Sequence, residues 1–100
     1  MIARYWSATT TPEKAPAYCE HLLTNVFTEL RKLDGFEDGK LLQREIDGRV
    51  EVIVMTFWKS LDAIRAFAGD DIERAVVSDK AAAFLSHYDR RVKHFDVTRA

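Results

Sequence analysis

Apolar positions along the chain follow two different repeats. Between residues 15 and 33 they recur every three or four residues: Tyr18, Cys19, Leu22, Leu23, Val26, Phe27, Leu30 and Leu33. Glu20, His21, Thr24, Asn25, Thr28 and Arg31 fill the other side. That spacing predicts an amphipathic helix of about five turns. Thr11 is a candidate cap, and Pro12 suits a first helical position, where its missing N–H costs nothing. Pro16 is less comfortable and shifts the expected start a few residues later. Gly35, following Asp34, supplies the left-handed conformation that closes a helix.

Elsewhere the pattern is that of strands. Residues 2–8 carry Ile2, Tyr5 and Trp6, which favour extended backbone. Residues 41–46 and 49–58 flank Asp47-Gly48, the signature of a two-residue hairpin turn. That turn sets Ile46 opposite Arg49, Arg44 opposite Glu51, Leu42 opposite Ile53 and Leu41 opposite Val54. Opposite charges and apolar partners then meet, which supports the register. Ser60 caps a second helical region carrying Leu61, Ile64, Phe67 and Ala68, broken at Gly69. Asp70 and Asp71 predict another turn or two of helix through Ile72, Ala75 and Val76. A last helical piece is expected to carry Ala81, Phe84, Leu85 and Tyr88, and residues 92–97 read as a closing strand. The order β-α-β-β-α-β predicts an α+β, ferredoxin-like sandwich: one domain over residues 1–100, with a four-stranded antiparallel sheet and helices on one face.

Residues 50–58 break the alternation expected of a sheet covered on one side. Ile53, Met55 and Phe57 point one way; Val50, Val52, Val54 and Trp58 point the other. The helices of so short a chain cover one face only. The second face therefore predicts a homodimer joined sheet to sheet about a two-fold axis.

Composition narrows the partners. Fifteen Lys and Arg against sixteen Asp and Glu give a net charge of −1, so no electrostatic footprint for nucleic acid is present. The densest basic stretch, Arg90, Arg91 and Lys93, is flanked by Asp89 and Asp96. No apolar run reaches membrane-spanning length, and the first residues lack the pattern of a signal peptide, so a cytoplasmic location away from membranes is expected. Cys19, the one cysteine, sits on the apolar helix stripe and reads as a buried thiol rather than a nucleophile. His21, His87 and His94 are isolated from one another and from any paired cysteine, and no phosphate-binding glycine loop or dinucleotide fingerprint occurs. No metal and no cofactor are expected. His21, on the polar side of its helix, is expected to face solvent.

The remaining chemistry gathers at Arg4, Trp6, Trp58, Phe67, Phe84, His87 and His94. Arg4 and Trp6 share one face of the first strand, and the topology makes the first and last strands neighbours, which brings His94 close. Trp58 ends the third strand beside the helix of Phe67. An aromatic-lined cavity with one cation and one imidazole suits a small planar anionic or phenolic ligand. Arg4 would hold the anionic oxygen and His94 would act as base. Trp6, Trp58, Phe67, Phe84 and His87 are the candidate walls. The plainer alternative makes these aromatics core and pairs Arg4 with an acid.

These residues carry a resemblance. Ile2-Ala3-Arg4-Tyr5-Trp6, residues 11–15 (Thr-Pro-Glu-Lys-Ala), the stretch from Phe57 to Gly69 and the closing residues 92–97 are similar to the antibiotic-biosynthesis-monooxygenase-like family of dimeric α+β barrels. The resemblance covers nearly the whole chain and is specific for fold more than for reaction. It implies two sheets packed face to face, with a pocket in each protomer between sheet and helices. It also implies oxygenation of an aromatic or quinol-like molecule without a cofactor: deprotonating an electron-rich phenol gives an anion able to pass an electron to dioxygen. Haem-degrading members use an Asn, a Trp and an iron-binding His where this chain has Trp6, Phe67 and Val77; valine has no lone pair for iron. A non-catalytic dimeric binding or regulatory module, and an isomerase or decarboxylase, are the competing readings, since one fold hosts many activities.

Overall fold

A computed structural model describes residues 1–98. Strand β1 (Ile2–Thr10) leads into α1 (Ala15–His21), a π-helical turn (Leu22–Val26) and α2 (Phe27–Leu30). The chain continues through β2 (Phe36–Ile46), β3 (Arg49–Trp58), α3 (Leu61–Ala68), α4 (Asp79–Ala82), β4 (Leu85–Tyr88) and β5 (Lys93–Asp96). All strand pairs are antiparallel, in the order β2-β3-β1-β4, with β5 also on β1. β4 pairs with residues 8–10 of β1 and β5 with residues 2–5, so the two pieces form one edge strand interrupted at residues 89–92. This is the expected ferredoxin-like α+β fold. Among the described residues no helix is long and apolar enough to cross a membrane.

Local chemistry explains most of the boundaries. Asp47 (φ 52°) and Gly48 (φ 74°) are both left-handed, as a tight hairpin turn between twisted strands requires, and all four pairings expected from it occur. Thr11 Oγ1 accepts from the Lys14 N–H at 3.2 Å, and α1 begins at Ala15 with Pro16 in its first turn. β2 starts at Phe36, well before the expected Leu41, because residues 36–40 pair with the end of β3, and Gly39 there lies under the Phe27 ring. A Cβ there would stand 3.2 Å from the ring, so glycine is what lets α2 close onto the strand.

One expected helix is absent and another is cut short. Residues 69–78 form turns and extended chain instead, since their backbone groups bond at long range. The Val92 N–H donates to Glu73 O at 2.7 Å, the Ala75 N–H donates to Arg90 O at 2.9 Å, and Arg74 bridges Arg91. The last helical piece stops at Ala82 rather than continuing to Tyr88. Ser78 caps it, and Leu85–Tyr88 is strand β4 because the edge of β1 is open to pair with it.

The inner sheet face and the helices enclose the core, where Val52, Trp58 and Ile64 are fully buried. The outer face is apolar and open. Ile53, Met55 and Phe57 are half-buried there, with Leu42 47% and Phe95 52% exposed beside them.

Candidate functional site

A cavity of about 500 Å³ lies between the inner sheet face and the helical run from residue 18 to 33. Its floor is Arg4 and Trp6 of β1 with Val54 and Thr56 of β3; Tyr18, His21, Asn25 and Glu29 stand on the helical wall; Phe67 and residues 76–78 close the sides. Strand alternation puts Arg4 and Trp6 on the same inward face. The volume falls within the range of sites for small organic ligands.

Arg4 dominates the floor. Only 6% of it is exposed, and burial lowers its pKa to about 10. Nη1 donates to Ile72 O at 2.5 Å and to His94 Nε2 at 2.9 Å, Nη2 donates to Arg74 O at 2.9 Å, and the guanidinium sits 5.7 Å from the centre of the Phe67 ring. Among the described residues no carboxylate pairs with it, so the alternative of an acid partner is not what the fold provides. Of its five N–H groups three are engaged, and those left over are Nε–H and one on Nη2. A buried cation with neutral partners favours an anionic oxygen beside it.

His94 is directly across from Arg4 in the β1–β5 pairing, as expected of neighbouring first and last strands. A guanidinium only donates, so His94 Nε2 is the acceptor and its ring is neutral. Burial first, then the charge on Arg4, hold its pKa below the usual histidine value, against a smaller pull from Glu73. His94 stands behind Arg4, off the cavity wall.

The other candidates separate. Trp6 and Phe67 line the cavity, Trp6 with its Nε1 donating to Asp89 O at 2.7 Å. Trp58 is fully buried behind Phe67, stacked on it at 5.6 Å, with Nε1 donating to Thr56 Oγ1. Phe84 backs the Tyr18 and His21 rings from outside the cavity. His87, opposite Thr9 on β4, is exposed and remote from it.

The polar residues of the helical wall, Tyr18, His21, Asn25 and Glu29, were not expected there. His21 is half-buried on the cavity rather than in solvent, its Nδ1 bonded to Asn25 Nδ2 at 3.1 Å and its Nε2 buried without a partner. Burial raises the Tyr18 phenol pKa, with a further push from Cys19, so the phenol stays protonated. Cys19 itself is half-buried beside Gln43, its thiol pKa raised by burial, which suits an inert packing thiol. The sequence did hold a signal for the wall. His21, Asn25 and Glu29 recur every four residues and so share one face of a helix. Val77, the position that the sequence resemblance sets against an iron-binding His, borders the cavity and has no donor atom.

Comparison with known proteins agrees with this architecture. A family model described as "antibiotic biosynthesis monooxygenase" matches residues 1–78. A putative antibiotic biosynthesis monooxygenase from Bacillus cereus superposes with a TM-score of 0.67 at 20% identity, covering 99% of this chain and 96% of its own. SnoaB, a cofactor-independent oxygenase from Streptomyces nogalater, gives 0.61 at 21% identity over 99% and 95%. The haem degrader MhuD from Mycobacterium tuberculosis, with two haems in its active site, gives 0.62 at 19% identity over 100% and 98%. No curated protein matches the chain. At these identities the structural likeness speaks for the fold.

Proposed function

Because the chain belongs to the antibiotic biosynthesis monooxygenase family, we propose that it binds a planar phenolic or quinol-like small molecule in the cavity and oxidises it with dioxygen, without a cofactor. Arg4 carries this reading: a buried cation with no acid partner among the described residues and with unused N–H groups, on the floor of an apolar cavity. It would hold the substrate as its phenolate, with Trp6 and Phe67 against the ring faces. The phenolate gives one electron to dioxygen, the two radicals combine at carbon, and the peroxide breaks its O–O bond. One oxygen stays as a quinone carbonyl and the other leaves as water with the hydroxyl proton and the hydrogen of the attacked ring carbon, so the reaction balances without an added reductant.

In this reading His94 positions Arg4, since its Nε2 is already occupied, and Trp58 and Phe84 support the lining from behind. His87 has no role. The open outer face of the sheet is where two copies would join, burying Leu42, Ile53, Phe57 and Phe95. A cytoplasmic setting accords with the one free thiol.

The engaged Nε2 of His94 also favours a second reading, a dimeric module that binds the same ligand without turning it over, because no free base stands on the cavity floor. Oxygen uptake with a panel of hydroquinones and naphthols separates the two. Uptake of one dioxygen per product, with one of its oxygen atoms found in the product and no hydrogen peroxide released, and lost in Arg4→Gln, supports the oxygenase. Saturable binding with no uptake across the panel leaves the binding module.

A further inference from the structure

The cavity holds a fixed positive charge and, among the described residues, no group able to make the matching negative one. Arg4 is the cation, buried on the floor with two carbonyls and a neutral histidine as its partners. Thr56, opposite it on β3, and Phe67 of α3 bring no charge. A phenol entering as the neutral acid leaves that cation uncompensated unless its proton finds an acceptor. Every neighbouring acceptor is already committed. His94 Nε2 accepts from Arg4 at 2.9 Å, and a proton there would set a second cation against the first. His21 Nδ1 accepts from Asn25 Nδ2 at 3.1 Å, and its Nε2 is closed off. Burial keeps the Tyr18 phenol protonated. Glu29 stands exposed on the rim, 3.1 Å from Lys32 Nζ, and a carboxylate is a far weaker base than a phenolate. Asp71 and Glu73, on the segment whose carbonyls Arg4 holds, face Arg91 on the solvent side.

Resting on the reading of the cavity given above, we infer that the site takes oxygen acids that have already ionised in water, so that its preferred ligand class is planar arene carboxylates. Simple phenols and quinols enter only in proportion to their ionised fraction. The acidity of the ligand thus takes the place of a base in the protein, and the anion is selected from solution rather than made in the cavity. The carboxylate also matches the donors in number. Arg4 has two N–H groups left, Nε–H and one on Nη2, and a carboxylate brings two oxygens that share one charge. A phenolate brings a single oxygen to the same two donors. Trp6 and Phe67, which line the cavity, favour a flat ring behind the anionic group.

Titration of the wild-type protein with naphthoate and naphthol between about pH 7 and 9 tests the inference. The two share one ring system, and naphtholate is told from neutral naphthol by its absorbance at longer wavelength. Over this range Arg4 stays charged and His94 neutral, so the acid–base behaviour belongs to the ligand. Naphthoate affinity is expected to stay flat. Naphthol affinity is expected to rise about tenfold per pH unit, with the bound species absorbing as naphtholate. At the neutral end naphthoate is expected to bind on the order of a hundredfold more tightly than naphthol. A pH-independent affinity for naphthol, or naphthol bound in its neutral form, would overturn the inference while leaving the cavity reading intact. Binding of naphthol without binding of naphthoate would do the same. If neither compound binds, both fall together.

Discussion

The two walls of the cavity are built on opposite terms. On the sheet side every strong polar group has protein partners that hold it in place: Arg4 two carbonyls and His94, with two N–H groups to spare, Trp6 the Asp89 carbonyl, and Thr56 the Trp58 indole. On the helix side the bonding is thin. His21 has one partner for two ring nitrogens, Asn25 and Glu29 are exposed, and the backbone itself passes through a π-helical turn at Leu22–Val26. π turns frequently mark functional sites, where the irregular backbone re-aims side chains. The floor holds a charge in a fixed place, whereas the helical wall leaves its histidine half-bonded.

Removing the cation is the most severe way to break this contrast. In Arg4→Met the Ile72 and Arg74 carbonyls and His94 Nε2 all lose their donor at once. Part of that loss is offset because a buried charge without an acid is itself expensive. The net cost expected in urea unfolding is about 2 kcal/mol, from unpaired buried acceptors at roughly 1 kcal/mol each less the relieved desolvation. Binding of organic anions should fall by about two orders of magnitude, the scale of a charge-assisted bond in a dry site. A variant that keeps its affinity would mean the floor is not the anion site.

The same contrast explains what was legible in the sequence. The floor could be read because strands repeat every two residues: Arg4 with Trp6, and Arg4 opposite His94, follow from alternation and topology alone. The β2–β3 register was fixed by Asp47-Gly48, a purely local signal. Residues 69–78 could not be read that way. Asp70-Asp71 is a fair helix start, but the carbonyls of Ile72, Glu73 and Arg74 bond to Arg4 and Val92, partners about twenty or more residues away that no local pattern encodes. The wall was hidden for a different reason. A polar face at helical spacing predicts contact with solvent, yet part of that face borders the cavity, and polarity alone does not say which of the two it meets.

A weaker effect sharpens the role of His94. Its folded-state pKa lies below that of an unfolded histidine, so the unfolded chain takes up a proton where the folded chain does not. The neutral ring thus contributes stability that is complete above about pH 6.5, the usual histidine value, and that declines as pH falls through the lower folded value. In His94→Gln, which can still accept from Arg4, the loss of stability between neutral and mildly acidic pH should be shallower than in wild type. An unchanged slope, measured by denaturant titration at a series of pH values, would remove His94 from the role of neutral acceptor.

The smallest effect is expected at the outer end of the strap that Arg4 pins from within. Arg91 forks onto Asp71 at 2.7 and 3.1 Å and lies 3.6 Å from Glu73, tying residues 71–73 to the edge strand from the solvent side. These charges are exposed, and the pairing with Arg91 lowers the pKa of Asp71 without burying it. Exposed pairs of this kind are screened by salt and contribute little, so Arg91→Gln should shift the urea midpoint only slightly, and by still less in high salt. The Val92 N–H bond to Glu73 O and the Arg4 bonds to Ile72 and Arg74 remain in that variant, so ligand affinity should not change. If Arg91→Gln did weaken anion binding, the strap would depend on its outer lock, and Arg4 alone would not fix the floor.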